Sequence, residues 1–93
     1  MQIGYISLRI KIYDVFSLKE KRSVVKSLIE RLKHKFNISV CEGGENDILQ
    51  LSVIGIVFIS NERRHIESTA ENIIKFMEND GRFEIISILR EVL

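Results

Sequence analysis

The chain of 93 residues contains no proline and a single cysteine, Cys41. One cysteine cannot form an internal disulfide, so a reducing compartment is the expected setting. The first residues also lack the basic segment and the small-residue cleavage site of a signal peptide. These absences predict a cytoplasmic protein.

Long apolar runs are also missing. The longest such stretch, Ile48 to Ile59, spans only 12 residues and includes Gln50 and Ser52. A membrane-spanning helix needs about 20 predominantly apolar residues, so we expect no membrane association. There is no low-complexity segment, linker or repeat either. Residues 1–93 are therefore predicted to form a single domain.

The chain has little net charge, but the charge is unevenly distributed. The formal net charge is +1 at pH 7, which excludes a strong general attraction to nucleic acid or membranes. Between Ser17 and Phe36, however, seven Lys and Arg residues stand against two Glu residues. The positive charge is concentrated on one predicted helix.

Hydrophobic periodicity predicts six elements in the order β-α-β-β-α-β. Residues Gln2 to Tyr13 alternate apolar and polar side chains, which is typical of a strand with one buried face. Ser17 and Glu20 form a capping-box pattern in front of the first helix. The remaining bounds follow from helical spacing, turn residues and apolar runs: helix Leu18–Phe36, strand Asn37–Cys41, hairpin connection Glu42–Asp47, strand Ile48–Ser60, N-cap Asn61 with a helix to Asn79, stop at Gly81, and strand Arg82–Glu91.

This order is that of the split βαβ, ferredoxin-like α+β fold. We predict an antiparallel sheet with strand order 4-1-3-2 and both helices on one face. The third strand is apolar on both sides, so one of two sets is expected to lie on the open face: Ile54, Ile56 and Phe58, or Leu51, Val53 and Val57. Such an apolar open face favours self-association through the sheet.

The start of the first helix carries cations where the helix dipole disfavours them. Each such charge costs about 0.3–1 kcal/mol, but a bound phosphate would use it. On a helical wheel Lys19, Arg22, Lys26 and Lys33 lie within about 60° of one another. A solvated helix face explains the same pattern. The predicted phosphate contacts are Lys19, Lys21, Arg22 and Lys26, extended by Lys33, with Arg9 and Lys11 as weaker candidates.

The outward face of the first strand is a second candidate for RNA binding. Aromatic and basic side chains alternate there, and an open sheet with this composition can stack bases and hold phosphates. The residues are Tyr5, Ser7, Arg9, Lys11 and Tyr13.

Few residues are suited to catalysis or metal binding. His34 and His65 are not spaced with Cys41 as metal ligands usually are, so no metal or cofactor is predicted. Glu42, Glu45 and Asp47 could act as acids or bases, although a polar turn accounts for them. Cys41 is interpreted as a small packing residue. No catalytic residue is predicted.

Several segments together resemble a known family. These are Ser17-Leu18-Lys19-Glu20-Lys21-Arg22, Val24-Val25-Lys26-Ser27-Leu28, Phe36-Asn37-Ile38-Ser39-Val40 and Ser60-Asn61. They are similar to the YlxP-like family of small bacterial proteins of unknown function, over essentially the whole chain. The resemblance implies a ferredoxin-like fold and a bacterial cytoplasmic setting. Family genes often lie near genes for translation initiation and ribosome maturation, which implies a connection with RNA or the ribosome.

Two hypotheses of different classes follow. The first is a non-catalytic accessory protein that binds RNA or a ribosomal particle through the basic helix. The second is a protein-interaction or homodimerisation module that uses the open sheet face. A small enzyme that uses the hairpin carboxylates is a third and weaker alternative. Phosphate contacts weaken as salt rises, whereas apolar contacts do not, so a salt titration separates the first two hypotheses.

Overall fold

A computed structural model describes all 93 residues and contains four strands and two helices. The first half of the chain forms β1 (Gln2–Ile12), α1 (Leu18–Lys35) and β2 (Ser39–Gly44). The second half forms β3 (Leu51–Ser60), α2 (Arg63–Glu78) and β4 (Phe83–Val92). The predicted order of elements and the ferredoxin-like α+β fold are confirmed.

The four strands form one antiparallel sheet in the order β2-β3-β1-β4. This is the predicted order 4-1-3-2 counted from the other edge. β1 and β3 are central and pair from Gln2 opposite Ser60 to Lys11 opposite Leu51. β2 and β4 are the edge strands.

Alternation along the central strands builds the core. Ile6, Leu8, Ile10 and Ile12 of β1 are buried against the helices, as their period of two predicts. From β3, Ser52, Ile54, Ile56 and Phe58 lie on the same side. The helices cover this face with apolar stripes at helical spacing. The residues of the stripes are Val25, Leu28 and Leu32 of α1, and Ile66, Ala70, Ile73, Ile74 and Met77 of α2.

Some element bounds differ from the predictions. β2 begins at Ser39 and continues to Gly44, and β3 begins only at Leu51, so the turn comprises residues 45–50. Asn61 is not the N-cap of α2, because the cap is Glu62, which makes no side-chain capping bond. Gly81 has a φ of +85° after α2, which is the conformation expected of a helix stop. Neither helix is both long and apolar enough to cross a membrane.

Candidate nucleic-acid interface

α1 begins with one of the two hydrogen bonds of a capping box. Ser17 is extended, and its hydroxyl accepts a hydrogen bond from the Glu20 backbone N–H at 3.1 Å. The same hydroxyl donates to the Glu20 carboxylate at 3.2 Å. These bonds fix the first turn of the helix, and with it the direction in which the following cations project.

Four of the five predicted α1 cations are exposed. Lys19, Arg22, Lys26 and Lys33 face solvent along the helix, from its first turn to its last. Over these fourteen residues the helix rises roughly 21 Å. Only Arg22 has an acidic neighbour within ion-pair distance, Asp47 at 3.7 Å, and both of these side chains are mostly exposed. The three lysines are therefore free to bind an anion.

The fifth cation, Lys21, is fully buried, and the expectation that it contacts phosphate is wrong. Its ammonium group donates to three backbone carbonyls of the β2–β3 turn: those of Glu45 at 2.6 Å, Asn46 at 3.1 Å and Ile48 at 2.7 Å. The Glu42 carboxylate lies 3.4 Å away. All donors of this side chain are used inside the protein, so it cannot reach a phosphate.

Sequence analysis missed this role, although a signal for it exists. Lys21 lies four residues before Val25 and seven before Leu28, so it shares their face of the helix. A lysine within an apolar stripe needs an internal partner, because burial of an unpaired charge is costly. The turn supplies that partner.

A groove of about 370 Å³ runs beside α1 towards the edge strand β2. Arg22, Lys26 and Lys33 line it together with two carboxylates, Glu30 and Glu42. Glu42 is already engaged, because Ser52 donates to it at 2.5 Å and Lys21 lies beside it. The groove therefore presents three cations and one carboxylate, Glu30, that has no partner in the fold.

Arg9 and Lys11 lie on the other side of the sheet. They follow the odd-numbered alternation of β1 and point away from the helices, so they do not join the α1 cations in one surface. Arg9 donates to both oxygens of Glu45, at 2.8 and 3.0 Å. The hydrogen bonds from Arg9 hold the pKa of Glu45 below its ordinary value. Of this pair of basic residues, only Lys11 is unpaired and exposed.

The open face of the sheet has a charged end and an apolar end. Near Lys11 it carries Arg9, Glu45 and Glu84. At the opposite end of β1, exposed apolar side chains from three strands and the chain terminus lie in neighbouring rows. These are Ile3, Val57, Ile59, Leu89 and Leu93, and the exposed carboxylate of Glu91 lies among them. Of the two sets considered for β3, the one containing Leu51, Val53 and Val57 is on the open face.

Comparisons with known proteins agree with this architecture. Residues 3–90 match the family DUF503, whose description is "protein of unknown function". The chain belongs to the DUF503 family. A member from Bacillus subtilis, the uncharacterized protein YlxP, is 36% identical over 82 residues, which are 88% of this chain and 89% of the relative. The predicted resemblance to YlxP-like proteins is thus confirmed.

A solved structure supports the fold of this DUF503 protein. A de novo designed protein with a ferredoxin fold, studied by solution NMR, has a TM-score of 0.64 at 15% identity. The match covers 99% of this chain and 85% of the designed protein. At this identity the likeness concerns the fold alone.

Two of the three hairpin carboxylates of the DUF503 protein are engaged within the fold. Glu42 accepts from Ser52, and Glu45 is paired with Arg9, while Asp47 is exposed. No group of three or more His, Cys, Asp or Glu side chains could hold a metal ion. Cys41 is exposed rather than packed, which corrects our interpretation of it. It lies opposite Gly55, on the uncovered face of an edge strand.

A buried carboxylate that sequence analysis did not identify joins α1 to the α2–β4 connection. The Asp80 side chain is only 1% exposed, and it accepts from Arg82 at 2.6 and 2.8 Å and from Arg31 at 2.9 Å. Arg82 also donates to Ser27 of α1 at 3.0 Å. The hydrogen bonds from Arg82 lower the pKa of Asp80, and Arg31 adds to the effect. Arg31 and Arg82 are therefore engaged in the fold.

Proposed function

We propose that this protein is a non-catalytic accessory protein that binds RNA, free or within a ribosomal particle, through the exposed face of α1. One observation carries the proposal. Lys19, Lys26 and Lys33 are exposed along a single helix, with no carboxylate within ion-pair distance. By contrast, six of the seven Arg residues, among them Arg9 and Arg82, form an ion pair within 3.3 Å. A row of unpaired cations on one helix can contact several phosphates of one nucleic-acid backbone.

The proposal is tested by a salt titration of RNA binding. In the variant Lys26→Gln/Lys33→Gln, affinity should fall alike for RNAs of different sequence, because phosphate contacts carry no sequence information. The slope of log K against log[salt] should shrink by roughly 0.7–0.9 for each phosphate that the variant no longer neutralises.

Lys75→Gln is the matched control for charge. Lys75 is exposed on α2, and its substitution changes the net charge without touching α1. The control should bind RNA with the affinity of the wild type. Any loss of affinity is divided by the number of charges removed, because the α1 variant loses two charges and the control loses one. Equal losses of affinity in the control and the α1 variants would mean that only the total charge matters, and the proposal would then fail.

A second candidate function is favoured by the apolar end of the open face. We propose that a second copy of this chain covers Ile3, Val57, Ile59, Leu89 and Leu93, so that the protein is a homodimer packed sheet against sheet. A cluster of exposed apolar side chains on a small domain indicates an interface, and here one carboxylate, Glu91, lies within the cluster. The charged end of the same face remains in solvent in such a pairing, which suits an interface confined to one end of the sheet.

Sedimentation over a concentration series tests the dimer. The wild type should dissociate only at low concentration, and added salt should not weaken it. Ile59→Lys should be monomeric, whereas Ile48→Lys, an exposed residue of the β2–β3 turn, should behave as the wild type does. A wild-type monomer at high micromolar concentration would overturn this second proposal.

A further inference from the structure

Only two of the seven aromatic side chains in this protein are exposed, and both lie in the same loop. Tyr13 is 43% exposed and Phe16 is 79% exposed. They belong to the five-residue connection between β1 and α1, which has a lysine on either side. Lys11 and Lys19 are exposed and make no ion pair.

Phe16 has no packing role that explains its position. It directly precedes the N-cap Ser17, where an apolar residue often packs against the fourth residue of the helix. Here that residue is Lys21, whose ammonium group is bound in the β2–β3 turn. The ring is left in solvent, although burial of a phenyl side chain is strongly favourable.

The loop that displays these rings is held in place at several points. Val15, between them, is buried in the core. The Tyr13 backbone N–H donates to the Arg82 carbonyl at 2.9 Å, and Asp14 adopts a left-handed φ of 56°. The Ser17 hydroxyl is fixed by the hydrogen bond that it accepts from the Glu20 backbone N–H. The rings are therefore presented on an ordered loop, and little entropy is lost when a ligand contacts them.

We infer that the β1–α1 loop stacks an unpaired RNA base on Phe16, with Tyr13 as a second stacking surface, while a neighbouring phosphate contacts Lys19. Exposed aromatic rings interleaved with cations are the means by which proteins hold single-stranded nucleic acid. Partial burial and the neighbouring Glu84 carboxylate hold the pKa of the Tyr13 phenol above its ordinary value, so the ring stays neutral.

This inference rests on the proposed RNA binding and refines its substrate class. The exposed cations of α1, which we call the α1 track, are Lys19, Arg22, Lys26 and Lys33. The track carries no exposed aromatic side chain, which suits contact with the backbone of a base-paired RNA segment. The loop lies at the beginning of that track. The expected partner is therefore an RNA in which a helix ends in unpaired nucleotides, such as a hairpin loop or a single-stranded tail.

The test compares two RNAs of equal nucleotide number: a blunt duplex, and a shorter duplex with an unpaired tail that contains 2-aminopurine. The wild type should prefer the tailed RNA and quench its fluorescence. Phe16→Ala should weaken binding of the tailed RNA about 5- to 100-fold, abolish the quench and leave the salt slope unchanged. Phe16→Tyr should keep both the affinity and the quench.

Two comparisons separate the possible failures. Ile86→Ala removes an exposed apolar side chain of β4 and should change nothing. If Phe16→Ala binds both RNAs as the wild type does, while Lys26→Gln/Lys33→Gln still lowers the salt slope, stacking by the loop is wrong and the α1 track stands. If the wild type binds neither RNA, the proposed function itself is wrong. If Phe16→Ala loses the same affinity for both RNAs, stacking on an unpaired base is also wrong.

Discussion

Lys21 and Lys26 lie five residues apart on α1, yet the protein uses them in opposite ways. The Lys21 ammonium group is buried and donates to three carbonyls of the β2–β3 turn. The Lys26 ammonium group is exposed beside a groove and forms no ion pair. The first cation joins a helix to a turn, and the second is free to bind a partner.

The difference shows that a count of positive charge does not measure the capacity to bind an anion. Five cations of α1 were grouped by sequence, and one of them is unavailable because its position on the helix faces inward. Arg9 is likewise bound to Glu45. Burial and pairing decide which of these five cations remain: Lys19, Lys26 and Lys33, with Arg22 only weakly paired.

The largest expected effect comes from removing the buried ammonium group. Lys21→Met keeps an apolar chain but removes the ammonium donor of three carbonyls and the ion-pair partner of Glu42, so the free energy of unfolding should fall by about 3 kcal/mol or more. Lys26→Met should change it by no more than about 0.5 kcal/mol. Urea denaturation of both variants checks the contrast. Equal stabilities would contradict the structural role of Lys21.

An intermediate effect is expected at Asp80, where two further cations are engaged. Asp80→Asn should lower the free energy of unfolding by about 1–2 kcal/mol, because charge-assisted bonds to Arg82 and Arg31 become neutral or are lost. The folded protein lowers the pKa of Asp80 from its ordinary 3.8, so its contribution is complete above that value and disappears as pH falls through the lower folded pKa.

Urea denaturation at several pH values therefore checks the Asp80 prediction. The difference between the wild type and Asp80→Asn should be constant around neutral pH and should shrink below about pH 4. A difference that grows as the pH falls would show that another group is responsible.

The smallest effect is expected at Lys19, and its sign is opposite. Its charge lies in the first turn of α1, so Lys19→Gln should raise the free energy of unfolding by about 0.3–1 kcal/mol. If the proposed function holds, the same variant should bind RNA with a smaller salt slope. Thermal unfolding and a salt titration on one sample measure both. Increased stability with unchanged RNA binding would remove Lys19 from the interface.

Much of the fold could be predicted because the local signals agree with one another. Alternation in β1, the capping box at Ser17 and the apolar stripes of both helices each specify one element, and the element order then selects the topology. The β2–β3 turn was placed too early because Ile48 and Leu49 look like strand residues. Their backbone belongs instead to the turn that Lys21 holds.

The site was harder to predict because it depends on contacts between distant residues. Arg31, Asp80 and Arg82 meet across α1 and the α2–β4 connection, and Arg9 meets Glu45 across β3. Nothing in the local sequence of either partner reports such pairs. The exposure of Phe16 could have been suspected from the failed apolar contact with Lys21, since both positions are defined by the N-cap.

The ammonium group of Lys21 occupies the place that an alkali cation takes in many ordered turns, among several carbonyl oxygens and one carboxylate. In this protein the cation of the turn is the ammonium group of a side chain, which is covalently attached to α1. A chelator cannot remove it, and no change in the ionic composition of the surroundings can empty the position. The conformation of the turn is therefore tied to the position of α1 in every folded copy of the chain.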